Sequence, residues 1–356
     1  MIKDGGTLAI VLPETYFHAP SKKRVLKFMR SNNNIKAVVD LPHDTFRPHN
    51  NAKTILIVLE KNVKQQDEIL MAVTEGIGHD ALGRTLYRYD HENQRPTDEI
   101  WDDTKIIRKE LKNPKSGKNK NTFTLNISDI KNDVFIPRYY WRTKLKKIQE
   151  RAEERNLNLV PVSALIEKGI LSASQGHGSP KSEYKGRGTI PYVRVSDIVN
   201  WDIYKNYTAM IPESEYERVK GNGIDLEEND VLFVRRGSYR IGTVALVTKN
   251  GLKVLLMREL TVFRVANEDN EYFLNPGYLV YLFSHELVQQ QLTNLVFLDT
   301  TLPNISERWN ELQLPFFKTK AEANRVKKDM DNIFAKKQDV LESIERLSTK
   351  YGGLTT

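Results

Sequence analysis

Short apolar runs separated by turn formers dominate the first sixty residues. Leu8-Ala9-Ile10-Val11-Leu12, closed by Pro13, has the length and flanks of a buried strand. A helix is expected next, capped by Ser21 and burying Val25, Leu26, Phe28 and Met29, with Ser31-Asn32-Asn33-Asn34 as its closing turn. Ile35 to Leu41 and Thr54 to Leu59 are β-branched runs on either side of the polar stretch Pro42 to Lys53, which predicts a long-looped hairpin. Strand, helix and hairpin in that order are the closing portion of an open α/β sheet, so the fold reads as one entered partway through. Residues 62–112 are polar and mixed, and Asn113 to Thr122 has the turn formers and like charge of an exposed linker, where a domain boundary is expected.

Beyond that boundary the rhythm changes. Tyr139 to Arg155 reads as a basic-to-acidic helix and Val160 to Leu171 as a short strand and turn. Ile190–Val195, Val231–Val234, Thr243–Val247, Lys253–Met257 and Leu260–Val265 are short apolar runs between turn signals, a spacing that predicts a mostly antiparallel sheet with inserted helices, one of them Pro276 to Leu292. From Val326 the apolar positions fall at Met330, Ile333, Val340, Ile344 and Leu347, with Lys337 in the skipped place. Such a heptad-like seam predicts a long helix packed along a second helix, or else lying on its own domain.

Composition narrows the class. With 356 residues, 39% of them hydrophobic and 28% charged, the chain suits two folded domains. Zero Cys excludes disulfides, thiolate chemistry and Cys-ligated zinc. No run reaches the ~18 apolar residues of a membrane span, and the N-terminus lacks a secretion signal, so a cytoplasmic location and no membrane partner are expected. The net charge of +8 permits a polyanionic partner. Residues 1–150 hold 27 basic and 19 acidic side chains, residues 151–356 hold 27 of each, so any nucleic-acid surface in the second part must be a local patch.

Catalytic signatures are sparse. Neither a phosphate-binding Gly-x-x-x-x-Gly-Lys-Ser/Thr loop nor a Gly-x-Gly-x-x-Gly turn occurs, and the seven His show no metal-ligand spacing, so no catalytic, metal or cofactor residue is assigned. Asn275-Pro276-Gly277-Tyr278 is one substitution from the Asn-Pro-Pro-Tyr/Phe loop that holds a flipped base, but Asn275 as a helix cap with Pro276 in the first turn is the better reading.

Three stretches carry a resemblance. Gly5 to Glu14 (Gly-Gly-Thr-Leu-Ala-Ile-Val-Leu-Pro-Glu), Ile35 to His49 (Ile-Lys-Ala-Val-Val-Asp-Leu-Pro-His-Asp-Thr-Phe-Arg-Pro-His) and Lys53 to Lys61 resemble the final strand, helix and hairpin of N6-adenine DNA methyltransferases of type I and related restriction-modification systems. Glu75 to Asp80 and Gly83-Arg84 continue that pattern. Pro137 to Tyr140, Ile190 to Ile198, Val231 to Gly242 and Leu302 to Ile305 with the following helix are similar to the target recognition domain and spacer helix of type I specificity subunits. The resemblance implies an α/β, Rossmann-like partial methyltransferase sheet over 1–112, a linker at 113–122, a mixed α+β DNA target recognition domain over 123–315 and a long coiled-coil-like C-terminal helix over 316–350. The donor-binding turn and Asn-Pro-Pro-Tyr/Phe loop of the family have no counterpart here. S-adenosylmethionine is therefore expected on a complementary N-terminal methyltransferase part or modification subunit, and the chain alone is expected to be inactive. By resemblance, Phe46 lies on the loop near the extruded base, shaped by Pro48 and His49; the alternative is a core anchor in the hairpin.

A recognition surface needs cations for phosphates and forked donors for base edges. Arg235, Arg236, Ser238, Tyr239 and Arg240 surround Gly237 in one hairpin-like turn, from which three guanidiniums and two hydroxyls would project. The competing reading is a solvated turn held by Asp230, Glu227 and Glu228. Arg194 alternates with Val193 and Val195 and should face outward beside Ser196, while Lys181, Lys185 and Arg187 sit in a Gly-rich stretch, 176–188, able to follow a backbone. The reading favoured is a sequence-specific module that binds double-stranded DNA, with a restriction subunit as a further candidate partner. The alternatives are a self-sufficient adenine methyltransferase and an interaction protein that does not bind DNA.

Overall fold

The computed structural model describes residues 2–112, 120–237, 239–299 and 302–352. They form two compact units, the first from residues 2–146 with 297–299, the second from 147–296 with 302–352.

In the first unit, β1 (Thr7–Pro13), β2 (Asn33–Asp40), β3 (Thr54–Lys61) and β4 (Glu68–Val73) are joined by a later strand into a five-stranded sheet. β3 is central to the expected hairpin. It pairs antiparallel with β2 and also with β1, where Ile10 faces Ile57. β2 runs parallel to β4, Asp40 opposite Val73, so the loops after these two strands leave the same end of the sheet. α1 (Lys23–Asn32) fills the expected helix, with corrections to its start and to its buried face. A 3-10 turn precedes it, no side chain caps it, and Ser21 lies outside. Only Leu26 is buried, and Phe28 is 65% exposed, because the short helix presents a single edge to the sheet. The polar reading of 62–112 missed β4, whose Ile69 to Val73 are buried. That stretch also holds a hairpin of β5 (Tyr87–Asp90) and β6 (Arg95–Ile100), then α2 (Thr104–Lys112).

Of the expected linker, residues 113–119 lie outside the described residues. The sheet does not end there: β7 (Thr122–Asn126) pairs antiparallel with β4, placing Leu125 opposite Ile69. Backbone hydrogen bonding thus carries the first unit past the expected boundary, and Pro137 to Tyr140, a 3-10 turn with buried tyrosines, belongs to it as well. The sheet is mostly antiparallel, with one parallel pair.

α3 (Arg142–Glu154) replaces the expected helix from Tyr139. In the second unit, β8 (Leu157–Pro161), α4 (Val162–Glu167) and β9 (Leu171–Gln175) precede β10 (Ile190–Val193). The two-residue strands β11 (Ile198–Val199) and β12 (Asp202–Ile203) pair with each other; β13 (Met210–Ile211) pairs with β10 and leads into α5 (Glu213–Lys220). β14 (Val231–Val234), β15 (Val244–Leu246), β16 (Leu255–Leu256) and β17 (Leu260–Val265) lie within the runs read from the sequence. The order β15-β14-β17-β9 is antiparallel throughout, whereas β10 and β16 pair in parallel. The single helix expected over 276–292 is two, α6 (Pro276–Ser284) and α7 (Glu286–Leu295), broken at His285, whose ring nitrogen accepts from Leu287 N. Asn275 caps α6 by accepting from Tyr278 N at 2.7 Å, with Pro276 in the first turn. Phe233, Phe263, Phe283 and Trp309 pack edge-on or tilted against one another in the core between sheet and helices.

β18 (Phe297–Asp299) is part of the first unit. β19 (Leu302–Asn304) and β20 (Gln313–Phe317) return to the second, β20 pairing with β8. The chain then enters α8 (Lys320–Tyr351), 32 residues long. Met330 of the heptad seam is buried on α8, while Ile333, Val340, Ile344 and Leu347 are exposed. Lys337 donates to Asn200 O at 2.5 Å and lies 3.3 Å from the Asp202 carboxylate, so the skipped position is an anchor to the helix's own unit. No described helix is long and apolar enough to cross a membrane.

Candidate nucleic-acid interface

β14 and β17 bring the 235–240 turn beside the β16–β17 turn through paired backbone. Arg235 N donates to Glu259 O, and Gly237, at φ +104°, donates to Pro303 O. Such a φ suits glycine, since a Cβ there would be strained. The three guanidiniums do not project together. Arg235, its side chain 13% exposed, donates Nε and Nη2 to Arg258 O at 3.3 and 3.0 Å. Burial lowers its pKa, opposed by nearby Glu307 and Glu259. Arg240 donates Nη1 to Ile198 O at 2.9 Å and stacks its guanidinium 5.7 Å from the Tyr239 ring. Each is a strut. Tyr239 is the projecting side chain, 91% exposed; Arg236 is half-buried; Ser238 lies outside the described residues. The carboxylates expected to steady the turn do other work: Asp230 and Glu227 both bind Arg264, at 2.7 Å each.

Arg194, at the end of β10, forks onto Asp197, Nε to Oδ2 at 3.0 Å and Nη2 to Oδ1 at 3.2 Å, and Ser196 donates to the same carboxylate. The fork fixes the guanidinium, which stays about one-third exposed, and raises its pKa. Tyr192 links these groups. Its hydroxyl is 3.1 Å from Ser179 Oγ, Lys185 Nζ sits 5.7 Å from its ring, and burial raises its pKa, with Glu259, Arg194 and Asp197 close enough to act on it. Glu259 in turn acts on Arg235, beside Arg236 and Arg258. Lys185 thus lies at the Tyr192 ring, Arg194 follows Tyr192 by two residues at the end of β10, and Arg235 is tied by its backbone to Glu259 and by its side chain to Arg258 O. Arg258, Glu259, Ser179 and Glu307 were missed by the sequence reading; Arg258-Glu259 in the turn between two apolar runs was the available signal.

The 176–188 stretch is anchored at both ends rather than flexible. A Cβ on Gly176 would stand 2.2 Å from Met257 O, and one on Gly188 would stand 2.0 Å from Ile211 C. His177 between them is buried, accepting from Leu256 N. Lys181, Lys185 and Arg187 lie exposed on this pinned segment. Gly188→Ala is expected to push the segment off β13 and lower stability by about 1–3 kcal/mol, the cost of overpacking, as measured by urea unfolding; an unchanged midpoint would mean the close approach is not needed.

In the first unit, Phe46 is 41% exposed on the loop after β2, so it is not a core anchor. The loop's roots are tied by buried charge. Lys53 donates to Asp40 at 2.5 Å and to Leu41 O. Arg138 bridges Asp40 and Glu14 at 2.7 Å each, and Glu14 accepts from Leu298 N at 2.8 Å. Burial alone would raise the Asp40 pKa; Arg138 and Lys53 override it and hold the carboxyl below its usual range.

The N-6 DNA methylase family model matches residues 1–143. No curated protein matches the chain. Among solved structures, the chain is 11% identical to the type IIG restriction endonuclease BpuSI, with a TM-score of 0.37 over 92% of this chain and 42% of that one. It is 21% identical to the type I restriction-modification methyltransferase subunit from Streptococcus thermophilus, TM-score 0.27, over 38% of this chain and 26% of that one. It is 11% identical to the HsdS subunit from Thermoanaerobacter tengcongensis, TM-score 0.32, over 99% of this chain and 94% of that one. The chain thus spans less than half the length of the first two. The three are described as a type IIG restriction endonuclease, a type I restriction-modification methyltransferase subunit and an HsdS subunit.

Proposed function

We propose that the chain is a sequence-specific DNA recognition module of an adenine-N6 methyltransferase of a restriction-modification system, in which the second unit selects the target and the first completes the sheet of a catalytic part. The observation that carries the reading is the group of cations on adjoining segments, Lys185 at the Tyr192 ring and Arg194 just after it, with Arg235 tied to the Arg258-Glu259 turn. Arg194 is held there by its fork onto Asp197, while Arg235, committed to Arg258 O, is a strut of the fold. Guanidiniums fixed by their own neighbours lose little freedom on binding and can read base edges or phosphates. Glu259 supplies an acceptor, the type of group that reads a cytosine amino group. Two further observations support the role of the first unit. The methylase model covers it, and β1, an apolar strand, pairs only with β3 among the described strands and leaves Val11 39% exposed. A modification subunit carrying S-adenosylmethionine and the base-holding loop is the catalytic part proposed, and a restriction subunit a further partner. Phe46 would then border the flipped adenine, since its loop is rooted on the buried Asp40–Lys53 pair and its ring is accessible.

The test is fluorescence anisotropy of labelled duplexes between 50 and 200 mM salt. Binding is expected to weaken steeply as salt rises, by about 0.9 log unit per log unit of salt for each phosphate contacted, and one sequence should be preferred. Salt-insensitive or absent binding would leave the interaction-protein alternative. Calorimetry of the chain with S-adenosylmethionine should show no heat; heat would favour the self-sufficient enzyme.

A further inference from the structure

We propose that the first unit has its own duplex-binding surface, in which α2 and the start of α3 hold the phosphate backbone beside the Phe46 loop; this rests on the DNA-recognition reading and extends it to the other unit. Lys105, Arg108, Lys109 and Lys112 occur at i, i+3, i+4 and i+7, which is one face of α2, and all four are exposed. The opposite face is buried: Ile107 packs on Val39 and Ala72, with Leu41 and Leu111 against them, and the helix's only carboxylate, Glu110, is buried on that side. No described carboxylate lies within ion-pair distance of the four cations. Like charges at i,i+4 repel and weaken a helix, so folding is not what the stripe serves.

The neighbouring chain adds to the same charge. Residues 101–150 hold 13 basic and 6 acidic side chains. Trp141 Nε1 donates to Lys120 O at 2.9 Å, and burial lowers the pKa of Lys144 while the charge of Glu75 works against that shift. Glu75 N donates to Asp103, the residue that precedes α2. The start of α3 carries exposed Arg142 and Lys146, with Lys144 close enough to Glu75, which holds Asp103 before α2, for the two charges to act on each other.

Position identifies the partner. Val39 and Ala72, on which α2 rests, are close to the last residues of the parallel strands β2 and β4, and the loop carrying Phe46 leaves β2 at that end. A cationic helix face there suits the phosphates flanking a base drawn toward Phe46, rather than a separate acidic protein.

The experiment compares the full chain with a variant carrying Lys105→Gln, Arg108→Gln, Lys109→Gln and Lys112→Gln, by anisotropy on the preferred duplex and on one of random sequence. The slope of log affinity against log salt is expected to shrink by about 3 to 4, near 0.9 for each phosphate contact removed. Affinity for both duplexes should fall by the same factor, leaving sequence preference unchanged. Lys105→Arg, Arg108→Lys, Lys109→Arg and Lys112→Arg together should restore the slope and guard against a folding lesion. A glutamine variant with the parent slope, or one that changes preference, overturns this surface while leaving the second unit's role intact, as would capture of an acidic polypeptide such as polyglutamate with duplex binding unaltered. A parent chain that shows no salt-dependent duplex binding overturns both readings.

Discussion

Replacement of Arg138 by methionine is expected to destabilise the first unit by about 3–5 kcal/mol, the range for removing one partner of a buried ion pair, and to lower its melting temperature by roughly 10 °C. Arg138 neutralises two carboxylates from elements distant in sequence, Glu14 after β1 and Asp40 at the end of β2. Both carboxylates are almost wholly buried, so removing the guanidinium leaves charge in an apolar interior with only Lys53 still beside Asp40. The pH dependence gives the effect a signature. In the parent, Asp40 ionises below the ~3.9 of an unfolded aspartate, so its contribution is present at neutral pH and is lost as pH falls through the folded value. Without Arg138, burial pushes the Asp40 carboxyl up, the folded state binds the extra proton, and stability falls as pH rises. The gap in melting temperature between the two proteins should therefore be widest near pH 7 and narrow toward pH 5. A gap that is constant with pH would mean that lost packing against Phe297, 5.1 Å away, dominates instead.

Arg235 and its neighbours should separate into two classes. Arg235→Ala is expected to lower stability by about 1–3 kcal/mol by leaving the Arg258 carbonyl with an unmet acceptor, and to weaken duplex binding as a consequence. Arg194→Ala and Arg236→Ala are each expected to weaken the preferred duplex by roughly 1–3 kcal/mol, about fivefold to 150-fold in affinity, with the thermal midpoint little changed. The reason lies in what each side chain touches. Arg235 donates twice to a carbonyl of its own fold, whereas the Arg194 fork spends two donors on Asp197 and remains about one-third exposed. Measuring urea midpoints beside anisotropy distinguishes the classes. If Arg194→Ala and Arg236→Ala leave both affinity and preference intact, the cluster does not contact DNA.

Periodicity and turn chemistry were enough to find the longer apolar elements of both units. β1, β2 and β3 were legible because β-branched runs bounded by Pro and Asn have few local alternatives, and the Asn275 cap because its chemistry is local. β4 escaped notice since its apolar run is embedded in a polar context, and β7 because a strand added to a sheet edge is specified by its partner as much as by itself. The helix at 276–292 read as one because both halves are apolar; only the His285 backbone, extended at ψ 140°, divides them.

The DNA-binding candidates show the same limit. By itself the sequence determined which residue types gather near residues 190–198 and 231–242, and that they alternate with core positions, because strand alternation is a local property. Only the tertiary structure decided which guanidiniums are occupied by the fold. Arg235 meets Arg258 O and Arg240 meets Ile198 O through contacts 23 and 42 residues apart in sequence. The tertiary structure also decided that α2 packs near the ends of β2 and β4, since Ile107 had to reach Val39 and Ala72. Long-range hydrogen bonding and burial choose among the conformations that local pattern leaves open, and no spacing in the chain encodes that choice.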